Sequence, residues 1–188
     1  SRIEHNELSL VGQDANPFTI AFWVYFDEKT GSRPFNAGGT ASHTLYHNDT
    51  GVRINGRSAE NGVRVRCRIS PYPPDDANPY RMNEGQGPVV PVNEWHHFAF
   101  VVDPSDSLQI YLNGELSFED NTMDGYNNPS QEGWSDITIG SWYGGDPEEW
   151  VNLLQGKLSE MRVYGTALSN SQISRIAEGP IESTFSVE

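Results

Sequence analysis

The chain has 188 residues and a mass of 21.0 kDa, a size that suits one packed domain over residues 1–188 better than two. Its 18 glycines and 12 prolines predict frequent turns and exclude an all-helical bundle. With 12 Lys and Arg against 26 Asp and Glu, the net charge of −14 opposes binding to nucleic-acid phosphates and to anionic lipid surfaces. No apolar run approaches the ~20 residues that cross a bilayer, so we expect no membrane insertion.

The first predicted elements are strands, because apolar residues recur at every second position or in short runs bounded by turn residues. Residues 18–26 form a strand that starts after Asn16-Pro17. Residues 62–69 alternate strictly, which predicts one apolar face and one basic face. The apolar face holds Val63, Val65, Cys67 and Ile69, and the basic face holds Arg64, Arg66 and Arg68.

Residues 95–102 place apolar side chains on both faces of the predicted strand, as in a central strand. We expect Trp23 and Trp95, which lie on predicted strands, to belong to the core. Asn113-Gly114 separates strand-like residues 108–112 from 115–118, which predicts a type I′ hairpin because both turn residues tolerate positive φ. Residues 137–140 and 156–164 complete the predicted strands.

One short helix is predicted near the C-terminus. Ser169 and Gln172 form a capping box ahead of Ile173, and Gly179-Pro180 ends the helix. Residues 180–188 are expected to be a last strand or a tail. The pattern as a whole predicts an all-β fold, a two-sheet antiparallel sandwich with one short C-terminal helix.

Cys67 is the only cysteine, so an internal disulfide and a cysteine-type zinc site are both excluded. The chain begins at Ser1 without a leader, from which we expect a domain cut from a larger protein with other domains.

The order of these segments resembles the laminin-G-like, concanavalin-A-like lectin/glucanase superfamily of jelly-roll domains. The matching stretches run from about Ser9 to Ala177 and comprise residues 18–24, 95–99, 108–114, 139–140, 156–164 and 167–169. The resemblance implies a concanavalin-A-like jelly-roll sandwich in a secreted or cell-surface protein. It also implies bound calcium, structural or ligand-bridging, and frequent carbohydrate binding. The oxygen-bearing residues Asn48, Asp49 and Asp146 are candidate ligands for that calcium.

The arginines are candidate ligand-binding residues. Residues 53–81 hold six arginines against three acidic residues in a chain of net charge −14. Guanidinium groups about 7 Å apart on one strand face can engage successive carboxylates or sulfates of an anionic glycan. In the alternative interpretation, Arg64, Arg66 and Arg68 pair across strands with acidic residues such as Glu115, Glu119 or Glu160 and only solubilise the sheet.

Aromatic residues provide a second candidate element. Trp142, Tyr143 and Trp150 lie in or beside a glycine-rich segment, where exposed rings can stack on sugars; alternatively they close one end of the sandwich. His47 completes the candidate ligand-binding set.

These residues favour a non-catalytic carbohydrate-binding module or lectin-like adhesion domain for a polysaccharide, with anionic glycans preferred. No predicted strand offers the paired carboxylates of a glycosidase. Two alternatives stay open. The first is a polysaccharide lyase with the arginines as cations and His43, His47 or a nearby tyrosine as base, and the second is a calcium-dependent adhesin for a protein or peptide.

Overall fold

The computed structural model of the chain describes residues 2–4, 16–27, 42–48, 52–69, 80–81, 86–103, 106–122, 136–139, 142–143, 150–151 and 154–179. The strands are β1 (Arg2–Glu4), β2 (Phe18–Phe26), β3 (Ser42–Asn48), β4 (Val52–Ala59), β5 (Gly62–Ile69), β6 (Tyr80–Arg81), β7 (Val89–Val90), β8 (Trp95–Val102), β9 (Leu108–Leu112), β10 (Glu115–Asp120), β11 (Asp136–Ile139), β12 (Trp142–Tyr143), β13 (Trp150–Val151) and β14 (Gly156–Tyr164). The helix is α1 (Asn170–Ile176). The expected strand or tail at residues 180–188 lies outside the described residues.

Two sheets dominate the described part of the chain. The larger has the order β1-β11-β3-β4-β5-β6, with β7 also paired to β5, and the smaller has the order β10-β9-β8-β2-β14. Each of their ladders is antiparallel. The prediction of a two-sheet antiparallel sandwich with one short C-terminal helix is confirmed.

The core lies between the two sheets. One cluster of buried side chains joins alternate residues of β2 and β8 with alternate residues of β4 and β5. Its members include Phe18, Phe22, Phe26, Phe98 and Phe100 from the smaller sheet, and Ile54, Val63, Val65 and Cys67 from the larger. Full burial of each large apolar side chain is worth about 1.5–3 kcal/mol, so this contact is the main source of stability.

Local signals identified two other elements correctly. Asn113 and Gly114 have φ of 51° and 86° and join Leu112 to its cross-strand partner Glu115, which confirms the predicted hairpin. At the helix, the backbone N–H of Ser169 donates to Oε1 of Gln172 at 2.9 Å, as a capping box requires. No helix among the described residues is long and apolar enough to cross a membrane.

The helix packs on the outer side of the smaller sheet. Leu168 and Ile173 form a second buried cluster with Ala21, Ala99, Val101 and Tyr111. Both faces of β2 and β8 are therefore apolar over part of their length, because one face meets the core and the other meets the helix.

The expectation that Trp23 and Trp95 belong to the core is wrong. Trp95 is 42% exposed, and Trp23 is only partly buried. Both alternate with the core residues of their strands, so their side chains lie on the outer face of the smaller sheet. The helix covers only the other end of this face. A strand with apolar residues on both faces is therefore not buried on both faces along its whole length, and Trp23 and Trp95 lie on the part that the helix leaves uncovered.

Glycine is required where β5 begins. Gly62 has φ of 149°, and a Cβ atom there would lie 1.9 Å from the carbonyl oxygen of Val90. We predict that Gly62→Ala lowers the free energy of unfolding by roughly 2–4 kcal/mol, measured by urea denaturation. Gly179→Ala is the matched control, since Gly179 also has positive φ, 114°, but its Cβ would meet nothing within 4 Å. Equal losses in the two variants would contradict this explanation.

His97 makes stability depend on pH. Burial, reinforced by the charge of Arg162, lowers the pKa of His97 from 6.5 to about 4. Between these two values the unfolded chain binds a proton that the folded chain does not, so stability falls as pH drops from 6.5 towards 4, by up to about 3 kcal/mol. We predict that His97→Phe, measured by thermal denaturation, loses less stability than the wild type in that interval. Above pH 7 the stability of the two proteins should change with pH in the same way. A loss of stability below pH 6.5 that is as large in His97→Phe as in the wild type would contradict the role given to His97.

Candidate functional site

The arginines of β5 lie on the outer face of the larger sheet. Val63 and Val65 are fully buried and Cys67 is 2% exposed, so the alternating positions point away from the core, as predicted. Arg64 is partly buried and Arg66 is 8% exposed. Burial also raises the pKa of the Cys67 thiol to about 12, which keeps this neighbour neutral and unreactive.

Neighbouring strands place more arginines beside them. Arg57 is the cross-strand partner of Arg64, and Arg53 is the partner of Arg68. On the other side of β5, Arg81 of β6 is also paired with Arg68. Like charges directly opposite each other on a sheet repel, so the sequence places basic residues where the sheet alone would disfavour them.

The same row continues across the sheet to its far edge. Arg53 is paired with His47 of β3, His47 with Thr138 of β11, and Thr138 with Arg2 of β1. By register these positions share one face, and with strands ~4.8 Å apart the row from Arg2 to Arg81 spans roughly 24 Å. We call the set of basic positions on this face the arginine face. It comprises Arg2, His47, Arg53, Arg57, Arg64, Arg66, Arg68 and Arg81.

The arginine face concentrates the positive charge of the chain. It holds seven of the 12 Lys and Arg residues. By the same register Glu4 and Asp136, paired with each other in β1 and β11, also lie on this side of the sheet, so the positive character is strongest over β4, β5 and β6.

Arg64 is held by the segment that precedes β7. Its Nη1 donates to the carbonyl oxygen of Gly87 at 2.9 Å, and the backbone N–H of Val65 donates to the carbonyl oxygen of Pro88 at 2.9 Å. These bonds fix residues 86–90 against β5 and limit the rotamers that Arg64 adopts, so less side-chain entropy is lost when the guanidinium meets a ligand.

Pairing of the β5 arginines with acidic residues stays an alternative prediction, although Glu115, Glu119 and Glu160 lie elsewhere in the fold. All three glutamates belong to β10 and β14 of the smaller sheet, where neither strand neighbours β5. Glu119 accepts a hydrogen bond from Nε2 of Gln109 at 2.6 Å, and Glu160 pairs with Arg162. The charge of these three glutamates made them candidate partners, but the strand order separates them from β5.

The aromatic candidates lie away from these strands in sequence and in sheet. Trp142 and Tyr143 form β12, which pairs with β13 to give a separate two-stranded sheet. In that ladder Tyr143 is the partner of Trp150, so two of the three aromatic residues are cross-strand neighbours. Their role in ligand binding stays a prediction.

Calcium also stays a prediction. Asn48 is the last residue of β3, while Asp49 and Asp146 lie outside the described residues. Within the described ranges no three His, Cys, Asp or Glu side chains cluster in a way that could hold a metal ion.

Sequence reasoning identified part of the arginine face. The alternation in β5 indicated Arg64, Arg66 and Arg68. In β4, Arg53 and Arg57 lie four residues apart and so share one face of the strand, a signal that could have added these two arginines. No local signal could have added Arg2, because β1 has three residues and joins the sheet through β11, far away in sequence.

Solved structures share this fold at low sequence identity, and comparison with curated protein sequences finds no match. Domain 4 of AbnA, an extracellular arabinanase from Geobacillus stearothermophilus in complex with arabinotriose, has a TM-score of 0.56 at 18% identity over 88% of this chain and 70% of that chain. A SAP-like heptameric pentraxin from Limulus polyphemus has a TM-score of 0.57 at 13% identity over 88% and 72%.

The binding domain of botulinum neurotoxin DC, in complex with SialylT, has a TM-score of 0.61 at 13% identity over 94% of this chain. This chain spans only 38% of that binding domain. At such identities the likeness shows a shared fold.

The model of one protein family covers almost every element described above. It matches residues 2–174, from β1 into α1, and its members are described as the concanavalin A-like lectin/glucanases superfamily. The resemblance seen in the sequence is thereby confirmed: the chain belongs to the concanavalin A-like lectin/glucanases superfamily.

Proposed function

We propose that this domain is a non-catalytic carbohydrate-binding module of an extracellular protein, and that its arginine face binds an anionic polysaccharide. The observation that carries the proposal is the row of basic positions across the larger sheet, with Arg53 and Arg81 both paired with Arg68. The chain belongs to the concanavalin A-like lectin/glucanases superfamily, whose name includes lectins beside enzymes, so a binding role is compatible with its family.

Charge repulsion within the row is the first argument. An isolated pair of like charges directly opposite on a sheet costs up to about 1 kcal/mol, and the position of Arg68 is opposite both Arg53 and Arg81. A bound polyanion would turn that repulsion into attraction, because an accessible guanidinium can donate two parallel hydrogen bonds to a carboxylate or sulfate.

Dimensions are the second argument. Neighbouring strands set the arginines ~4.8 Å apart along the row, and residues two apart on one strand lie ~7 Å apart. A row of roughly 24 Å is the length of several sugar residues, so an extended chain can lie across the strands and meet Arg53, Arg68 and Arg81 in turn, with His47 and Thr138 before Arg2 at the far end. A short or compact anion would use only a part of the face.

Long-range electrostatics restrict the ligand further. The whole domain carries −14, which repels polyanions at a distance, while the arginine face attracts them within a Debye length of about 10 Å. Only an anion that reaches this face gains energy, so the domain discriminates by contact geometry and not by bulk charge.

One structural relative supports a saccharide as the ligand. The matched domain of the arabinanase was solved with arabinotriose, an oligosaccharide, and that enzyme is extracellular. We extend both features to this chain as part of the proposal, together with the expectation that it is one domain of a larger protein.

Substitution of single arginines tests the site. We predict that Arg64→Gln and Arg68→Gln each weaken binding of polygalacturonate or dextran sulfate by about tenfold, because each removes a charge-assisted bidentate contact. Binding is measured by calorimetry with and without calcium, so that the calcium prediction is tested in the same experiment.

Arg175→Gln is the matched control. Arg175 is exposed on α1, on the other side of the sandwich, and its loss changes the net charge by the same amount. Equal effects of the three substitutions, or no binding of either polyanion by the wild type, would contradict the proposed site. Melting temperatures of all variants confirm that the fold is intact.

A polysaccharide lyase is the second candidate, because His47 occupies the same row as Arg53 and could abstract a proton while arginines neutralise a uronate. A lyase creates an unsaturated product that absorbs in the ultraviolet. Absorbance that grows with time when the domain is mixed with polygalacturonate, and that His47→Ala abolishes, would favour this candidate over a binding module.

A further inference from the structure

The outer face of the smaller sheet has two different halves. The helix covers one half through Leu168 and Ile173, which pack on Ala99 and its neighbours. The other half carries four aromatic side chains and one lysine, which we call the aromatic patch. Its members are Trp23, Tyr25, Trp95, His97 and Lys157.

The register of β14, β2 and β8 builds the patch. Tyr25 lies between Lys157 on one side and Trp95 on the other, and in the next row Trp23 is paired with His97. The rings of Tyr25 and Trp95 are 5.7 Å apart between centroids at 62°, and Nζ of Lys157 lies 5.0 Å from the centroid of Tyr25. Lys157 thus lies over one face of the Tyr25 ring, and the edge-to-face contact with Trp95 restrains both rings.

Trp95 offers the accessible ring of the patch. It is 42% exposed, and among the described residues only Leu116 is another large hydrophobic residue with comparable exposure. An indole left in water forgoes the burial that usually stabilises it. Exposed aromatic residues on a rigid sheet are typical of binding sites, because they give contact area with little entropy left to lose.

The row beneath Trp95 contains unsatisfied polar atoms. Within the part of the chain that the structure describes, Nε1 of Trp23 and Nδ1 of His97 are both buried and lack hydrogen-bond partners. His97 is 2% exposed, and its ring is 5.3 Å from that of Trp23. Such atoms are costly in a native fold, so this row gives up stability where its neighbours on the helix side do not.

The surroundings favour a neutral sugar as the occupant. A stable protein partner would bury about 800 Å² on this side, whereas among the described residues Trp95 is the one exposed large hydrophobic side chain of the patch. The exposed Lys157 and the exposed Glu94, which precedes Trp95, supply one charge of each sign. A ligand with no net charge and many hydroxyl groups therefore matches the patch better than a polyanion does.

We propose that the aromatic patch is a second saccharide site, in which a neutral sugar ring stacks on Trp95. The patch and the arginine face lie on opposite outer faces of the sandwich, because the inner faces of the two sheets form the core between them. The domain then holds two polysaccharides at once, an anionic one on the larger sheet and a neutral one on the smaller. This inference is independent of the arginine face and stands or fails without it.

The test uses affinity electrophoresis of the domain in gels that contain hydroxyethylcellulose, arabinan, arabinoxylan or galactomannan. We expect at least one of the four to retard the wild type, Trp95→Ala to weaken that binding by about tenfold or more, and Trp95→Phe to restore part of it. Leu116→Ala is the matched control, since Leu116 is 46% exposed on an edge strand of the same sheet, and it should bind as the wild type does.

Two results would overturn the inference. The first is that none of the four neutral polysaccharides retards the wild type, and the second is that Trp95→Ala and Leu116→Ala behave alike. Binding of polygalacturonate by Trp95→Ala is measured in parallel and should equal that of the wild type, so that failure of this site and failure of the arginine face are told apart. Equal melting temperatures exclude a loss of fold in the variants.

Discussion

The pairing of β2 with β8 is the constraint on which the rest of the structure depends. The two strands are in register from Phe18 opposite Val102 to Tyr25 opposite Trp95, and this register decides which parity of each strand enters the core. Because side chains alternate, fixing Phe22 and Phe98 inside also fixes Trp23 and His97 outside. A slip of one residue would exchange the two sets, so the burial of the phenylalanines maintains the aromatic patch as well as the core.

The same logic makes the larger sheet a basic surface. Burial of Val63 and Val65 directs the intervening arginines outward, and the antiparallel register of β4, β5 and β6 sets them opposite further arginines. The inward-facing positions of each strand therefore stabilise the sandwich through apolar side chains, while the outward-facing positions are free to carry binding residues. Two outer faces of different chemistry, one cationic and one aromatic, follow from one alternating pattern.

Elements with strong local signals could be predicted from the sequence. The continuous apolar runs of β2 and β8, the Asn113-Gly114 turn and the capping box of α1 need only neighbouring residues to specify them. The sequence does not predict β3 and β4, because Gly56 and several polar residues interrupt the alternation of apolar and polar side chains. The pairing of these two strands is also irregular, with a register shift between Thr44 and Tyr46. The row from Arg2 to Arg81 depends on strand order, which local patterns do not encode.

The central claim is that the arginine face is where an anionic polysaccharide binds. The most direct measurement is an NMR titration of the isotope-labelled domain with oligogalacturonates of defined length, following the backbone amides. The account predicts that the largest chemical-shift changes fall in β4, β5 and β6 and grow with the length of the oligosaccharide until it spans the row. Changes confined to the smaller sheet, or no changes at any length, would contradict it.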